Sequence, residues 1–428
     1  MTKKFFAESA TKEFVTNTVL AMAAFSVAIV VEKLVLMPYL GQRMSATAFG
    51  ELLLIRNLVL VLASGVFAGL HNLLLRRNLD WSGAEKTLAV RSAALLGAVV
   101  TTTALLSVLL VVFIRQPDWL RQNYLKVLAF GFSGIANTLY FLLQTYWRMQ
   151  FRMRLFYALQ AANGLALLLV IPCYQWQGET GAYLGWLLAG ICSLGLTLAL
   201  AWGETEWQAG NLIDQAIVHS LLRQMWVFVW GVIGQALLQN MDRFVIGSLM
   251  GAAAVATYFK VTSTAYMILV PVEPLSGLLL SMVAQQKLGA DTNSYWRKLH
   301  RLMAVVMFGA FIGGAWLGPK LTDVLYGAGT YAAHPQLFWI VLAGCTLAIV
   351  SSLLRGMLIV YVKSIWLVGH DTATILFLFI VSIPLIFWQG LQGAALAVAA
   401  SLAFRAVLSE LVIFATLRKQ SAQSIKDT

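Results

Sequence analysis

The chain has 428 residues, of which 60% are hydrophobic and only 11% charged, and its formal net charge is +12. A soluble domain carries roughly 25% charged residues, so this composition, with a mean hydropathy of +0.79, excludes an ordinary water-soluble globule and makes the bilayer the natural solvent. The bases lie mainly in short links between apolar runs, the usual orientation signal of membrane proteins, which excludes nucleic acid as their partner.

In chain order, the sequence begins with a charged amphipathic segment, MTKKFFAESATKEF. The apolar run after it is longer than a signal h-region and lacks a small-residue cleavage site, so no cleaved signal is expected. A span needs about 20 mostly apolar residues. That window predicts helices near 15–37, 48–75, 88–114, 125–147, 154–174, 180–202, 220–242, 252–284, 301–320, 336–361, 365–387 and 391–417. The expected fold is an all-α integral membrane protein of about twelve transmembrane helices. With the N-terminus inside, nineteen Lys and Arg fall in inside links and six in outside links. Both termini are therefore expected in the cytoplasm.

The link 203–219, GETEWQAGNLIDQAIVH, is long and contains no Lys or Arg. It divides the chain into an N-terminal six-helix half at 1–203 and a C-terminal six-helix half at 220–428, with 204–219 as a cytoplasmic linker expected to hold a surface helix. Six spans per half leave both halves in the same orientation. The stretch EKLVLMPYLG at 32–41 aligns with DRFVIGSLMG at 242–251. Glu32 falls on Asp242, Lys33 on Arg243 and Gly41 on Gly251. A parallel repeat of this kind is a transporter architecture in which the substrate site lies between the halves and access alternates by rocking.

Ionisable residues within spans are functional candidates, because even modest scales charge about 2.5–3.5 kcal/mol for them at a helix centre. Arg56 and Lys260 each lie eight positions into a predicted span, about 12 Å from its outer end at 1.5 Å per residue. Equal depth in the two halves points to a shared cationic cavity. Arg405, near the middle of the last span, either extends that cavity or ties its helix to a neighbour. Arg355 is expected to reach towards the inner face. Lys33 lies near the outer end of its span. Glu32, Asp242 and Arg243 are read as gate or lobe-bracing groups at the outer mouth.

Gln235, Gln239 and Asp242 share one helix face, as do Tyr258, Thr262 and Tyr266. Such faces cannot point at lipid, so they line either the bundle interior or a ligand path. PVEP at 271–274 predicts a kink, and Glu273 beside it is a candidate for ion coupling. Trp119, Trp147, Trp186, Trp202 and Trp388 are expected at the membrane interfaces. Trp226 and Trp230 are placed deeper. Cys173, Cys192 and Cys345 fall in apolar segments and are read as packing residues. His71 is expected to be a hydrogen-bonding residue of the bundle. No phosphate loop, metal motif or hydrolase motif occurs, so no cofactor, metal or bound nucleotide is expected.

The stretches QNMDRFVIGSLMGAAAVATYFKVTS (239–263) and AFGELLLIRNLVLVLASGVFAGLHNLLLRR (48–77) resemble polysaccharide-type flippases of the multidrug/oligosaccharidyl-lipid/polysaccharide (MOP) exporter superfamily. The likeness extends over essentially the whole chain. It implies two six-helix lobes in a V. It also implies transport of undecaprenyl-pyrophosphate-linked oligosaccharides across the bacterial inner membrane, for O-antigen, capsule or exopolysaccharide. Related lipid II flippases meet the pyrophosphate with bases in spans 1, 2 and 8, where Lys33, Arg56 and Lys260 stand here. The implied partners are the lipid-linked substrate, membrane lipids, and the polymerase and chain-length proteins of such a pathway. A multidrug cation antiporter of the same superfamily and a non-transporting or enzymatic component of a synthesis complex are the alternatives. A cation antiporter calls for an acidic site, and an enzyme for a large outer loop.

Overall fold

A computed structural model describes residues 20, 23–24, 26–78, 81–115, 117–204, 207, 213–272, 275–276, 292–362 and 364–426. Helix α1 is a π-helical segment, Val30–Leu36, that continues as Met37–Arg43. It is followed by α2 (Ala46–Arg76), α3 (Gly83–Arg115), α4 (Pro117–Met149) and α5 (Met153–Ala166). Through a 3-10 turn, Leu167–Leu169, α5 enters the helical stretch Val170–Trp202, which breaks at Gln177 and Gly178. The part after the break, 179–202, is α6. Then come α7 (Gln215–Met250), α8 (Ala252–Tyr266), α9 (Thr292–Tyr326), a short turn of helix Thr330–Ala333, α10 (Pro335–Tyr361), α11 (Ser364–Gln389) and α12 (Leu391–Lys426). Among the described residues there is no strand. Helices α2 to α4, the stretch Met153–Trp202 that contains α5 and α6, and α9 to α12 are long and apolar enough to cross a membrane. The chain is an all-α, multi-pass membrane protein of about twelve helices.

Local sequence explains how these helices start and bend. Glu85 reaches back to cap the start of α3, its Oε2 accepting from both the Ser82 N–H and the Ser82 hydroxyl at 2.8 Å. Asp214 Oδ1 accepts from the Ala216 N–H at 2.7 Å and so caps α7. Pro38 lacks an N–H and crowds the carbonyl of Leu34 one turn back. The helix there widens, and the Met37 N–H bonds the Glu32 carbonyl, five residues away. Pro172 and Pro271 are each preceded by a 3-10 turn, Leu167–Leu169 and Met267–Leu269. The kink expected at PVEP therefore begins ahead of Pro271, while Glu273 and Pro274 lie outside the described residues. Pro319 and Pro384 sit inside helices without changing their type.

The chain divides into two compact units, one of residues 1–40 and 55–236, the other of 41–54 and 237–428. The first unit has a core that includes Leu70, Leu74, Tyr140, Tyr146, Trp147 and Met225. The second has a core that includes Leu299, Met303, Leu353, Leu354 and Met357. Small residues such as Ala89, Ser92, Ala93 and Gly97 on the buried face of α3 permit close helix approach without a large side chain.

One turn recurs in both units. PCYQWQGETGA (172–182) spans the break that leads into α6, and PLIFWQGLQGA (384–394) spans the end of α11 and the start of α12; Pro, Trp, Gln, Gly, Gly and Ala coincide. Gly178 has φ +59° and Gly390 φ +58°, the left-handed region that side chains avoid. A Cβ on Gly181 would collide with the Cys173 carbonyl, and one on Gly393 with that of Leu385. The tryptophans of the two turns are almost equally exposed, Trp176 at 78% and Trp388 at 79%.

The aromatic belt is narrower than expected. Trp202 and Trp388 are exposed, but Trp147 is fully buried and Trp186 is buried against Phe130, with ring centroids 5.4 Å apart. An indole near a helix end still packs inward when its face of the helix meets a neighbour. Trp226 and Trp230, placed deeper from sequence, are exposed. Among the cysteines, Cys345 is a packing residue, whereas Cys192 is exposed.

The linker is held to the first unit where it is described. Arg152 pairs with Glu204, and the Arg91 guanidinium lies 4.9 Å from the Trp207 ring centroid while donating to its carbonyl. The middle of the expected linker helix lies outside the described residues.

Candidate functional site

In the first unit the candidate cavity base Arg56 is held in an ion pair. Arg56 on α2 pairs with Glu32 on α1, and both side chains are mostly buried, at 13% and 23% exposure. Arg56 also donates to Asn57 Oδ1 at 3.1 Å. Glu32 occupies the π-helical turn before Pro38, with Lys33 half-buried next to it. Elsewhere in this unit His71 bonds Thr145 at 2.8 Å and Arg148 at 2.8 Å, the bundle role expected of it.

In the second unit Asp242 is buried, and its carboxylate accepts from the Tyr266 hydroxyl at 2.9 Å and the Arg243 N–H at 2.8 Å. Arg243 donates to Asn240 Oδ1 at 2.9 Å, and its guanidinium lies 5.0 Å from the Phe259 centroid. Lys260 is half-buried with its ammonium 5.7 Å from the Phe49 centroid, and among the described residues it forms no ion pair. Phe49 reaches it because Gly50 brings the start of α2 against the Ala252 backbone, where a Cβ would collide.

The two predicted polar faces fare differently. Tyr258 and Thr262 are fully buried, and the Thr262 hydroxyl donates back to the Tyr258 carbonyl at 2.8 Å. They belong to the interior, while Tyr266 serves Asp242. On α7, Gln239 is exposed; the side chain of Gln235 and the whole of Glu273 lie outside what is described.

The structure also builds a network that the sequence reading did not single out. Arg355 Nη1 donates to both oxygens of Asp371 at 2.9 Å, and Arg405 lies 3.7 Å from Oδ1. His370 bonds that same oxygen at 3.1 Å and Ser409 at 3.0 Å. The network joins α10, α11 and α12 within the second unit. Arg405 is thus committed to a carboxylate on a neighbouring helix, and Arg355 likewise. The signal for Asp371 was present in the sequence, as an acid inside the run 365–387, but it lies close enough to the end of that run to pass for a boundary charge.

A family profile described as polysaccharide biosynthesis protein matches residues 43–331. No protein of curated function matches the chain. Among solved structures, a mutant of the MATE transporter VcmN from Vibrio cholerae is similar, at 16% identity and TM-score 0.66, over 96% of this chain and 98% of that one. A MOP superfamily transporter from Pyrococcus furiosus, whose binding pocket is described as of reverse polarity, is similar at 12% identity and TM-score 0.67, over 96% of each chain. An outward-facing MATE family transporter gives 10% identity and TM-score 0.65, covering 94% of this chain and 96% of that one. At these identities the likeness establishes the fold.

Proposed function

Since this chain belongs to the polysaccharide biosynthesis protein family and has the fold of MOP superfamily transporters, we propose that it is a flippase for lipid-linked oligosaccharides. Its substrate is an undecaprenyl-pyrophosphate-linked repeat unit. The unit moves from the inner to the outer leaflet of the bacterial inner membrane, for O-antigen, capsule or exopolysaccharide assembly. The halves 1–203 and 220–428 act as the two moving bodies, both termini are cytoplasmic, and an ion gradient or the membrane potential drives the cycle.

The observation that carries this reading is the placement of a base, Arg56, within the membrane-crossing helix α2 and of a second, Lys260, on α8, where the sequence predicts a span. Arg56 is largely withdrawn from solvent and Lys260 half-buried, where charge is costly without a task. A guanidinium can hold a phosphate through two parallel hydrogen bonds, and Lys260 supplies a point charge. The acids Glu32, Asp242 and Asp371 are engaged by Arg56, by Tyr266 with the Arg243 N–H, and by Arg355 with Arg405. These three acids, among the described residues, are thus already engaged, which favours the flippase over a cation antiporter. The test is to replace Arg56 and Lys260 singly by Ala and measure surface polysaccharide alongside membrane levels of the protein. Loss of polymer at normal protein levels is the expected result. Normal polymer from both variants overturns the reading.

A further inference from the structure

The ion pair between Glu32 and Arg56 has a bearing on how a phosphate would be released. Resting on the flippase reading, we propose that Glu32 is an internal competitor for the pyrophosphate. It occupies the Arg56 guanidinium when no substrate is bound and retakes it when the substrate leaves.

Three observations support this. First, the pair is mostly buried, so Arg56 without Glu32 would be an inadequately paired cation in a poorly solvated site, which is strongly unfavourable. An empty transporter must return across its cycle, and a carboxylate held on the same unit keeps that charge paired during the return. Second, a carboxylate and a phosphate present the same planar pair of oxygens to the guanidinium fork. An incoming pyrophosphate therefore exchanges one anion for another rather than filling a vacant site. Third, Glu32 stands in a π-helical turn created by Pro38. Such turns are less favourable than α-helix and frequent at functional sites, so α1 has a local device for moving this one side chain without moving the whole helix.

Lys260 offers the internal contrast. It lies over Phe49 with no carboxylate partner among the described residues. If competition belongs to Arg56 alone, removing the acid beside it changes affinity, while Lys260 contributes a constant attraction.

The experiment measures binding of inorganic pyrophosphate to the purified full chain in detergent. Undecaprenyl pyrophosphate in nanodiscs forms a second arm, and phosphatidylglycerol serves as competitor to separate a specific headgroup site from general anionic lipid binding. Glu32→Gln is expected to tighten pyrophosphate binding by about tenfold, the scale of a partly buried ion pair. It is also expected to slow net transport in vesicles, because the substrate is no longer displaced on release. Glu32→Asp, which keeps the charge on a shorter arm, falls between wild type and Glu32→Gln. In an Arg56→Gln background the effect of Glu32→Gln disappears. A tightened affinity with a lowered turnover is a combination that mere loss of folding does not produce. Equal binding by wild type and Glu32→Gln, both measurable, overturns the inference and leaves the flippase reading standing. Failure of wild type and both Glu32 variants to bind pyrophosphate or its undecaprenyl ester overturns the reading and the inference with it. Displacement by phosphatidylglycerol at equal concentration reassigns the site to general lipid headgroups and overturns both.

Discussion

The stretches EKLVLMPYLG and DRFVIGSLMG align residue for residue, yet their acids have different partners. Glu32 meets an arginine on the next helix, whereas Asp242 meets the hydroxyl of Tyr266 and the N–H of its own neighbour. The backbone differs around Pro38 and again at the closing glycine, which is helical at Gly41 but has φ +88° at Gly251. Pro38 widens α1 into a π-turn around Glu32, while its counterpart Ser248 keeps its N–H and α7 stays α-helical to Met250. Repetition of a charged pair thus determines where charge stands on each helix. The local hydrogen-bond pattern then determines which neighbour it reaches. One acid is held by a formal charge, the other by neutral donors.

That contrast can be broken by substitution. The largest effect is expected outside the pair of stretches, at Asp371→Asn. It leaves Arg355 and Arg405 without their shared carboxylate, and loss of one partner from a buried ion network costs about 3–5 kcal/mol. Thermal unfolding in detergent reads this as a large fall in midpoint. Ser248→Pro, which imposes the first half's residue on α7, is expected to cost about 3 kcal/mol, because α7 has no compensating π-turn. Pro38→Ser reverses the logic. It restores an N–H to α1, should raise hydrogen-exchange protection across 30–36, and should lower transport several-fold as Glu32 leaves Arg56. Tyr266→Phe removes one donor from Asp242 and is expected to cost about 1–2 kcal/mol with little effect on phosphate binding. If Tyr266→Phe impaired pyrophosphate binding as strongly as Arg56→Ala, the distinction between the two acids would fail. The smallest effects are expected at the repeated turn. Gly178→Ala and Gly390→Ala should each cost about 1 kcal/mol through their positive φ, and unequal costs would show that the two turns differ despite their shared residues.

Much of the fold was legible in the sequence. The apolar windows predict the helices because the length needed to cross a bilayer and the need to pair every backbone group leave little choice. The sequence reading found a repeat only at the stretches around Glu32 and Asp242 and passed over PCYQWQGETGA and PLIFWQGLQGA, whose shared residues serve a left-handed glycine and a close backbone approach that tolerate few alternatives. The site was less legible. Arg405 and Arg56 looked alike as lone bases in apolar runs, and Asp371 looked like a boundary charge. Which base is matched by an acid depends on which helix stands beside it, and that is not written in the spacing of either helix.

By itself, then, the sequence determined the solvent, the helical class and the helix positions that carry charge, because hydropathy and 3.6-residue periodicity are local properties. Only the tertiary structure decided the partners. It set Glu32 on Arg56, joined Arg355 and Arg405 to one aspartate, and turned Tyr258 and Thr262 inward. Each of these contacts depends on the relative rotation of two packed helices, and a turn of one residue about a helix axis, about 100°, would exchange one partner for another.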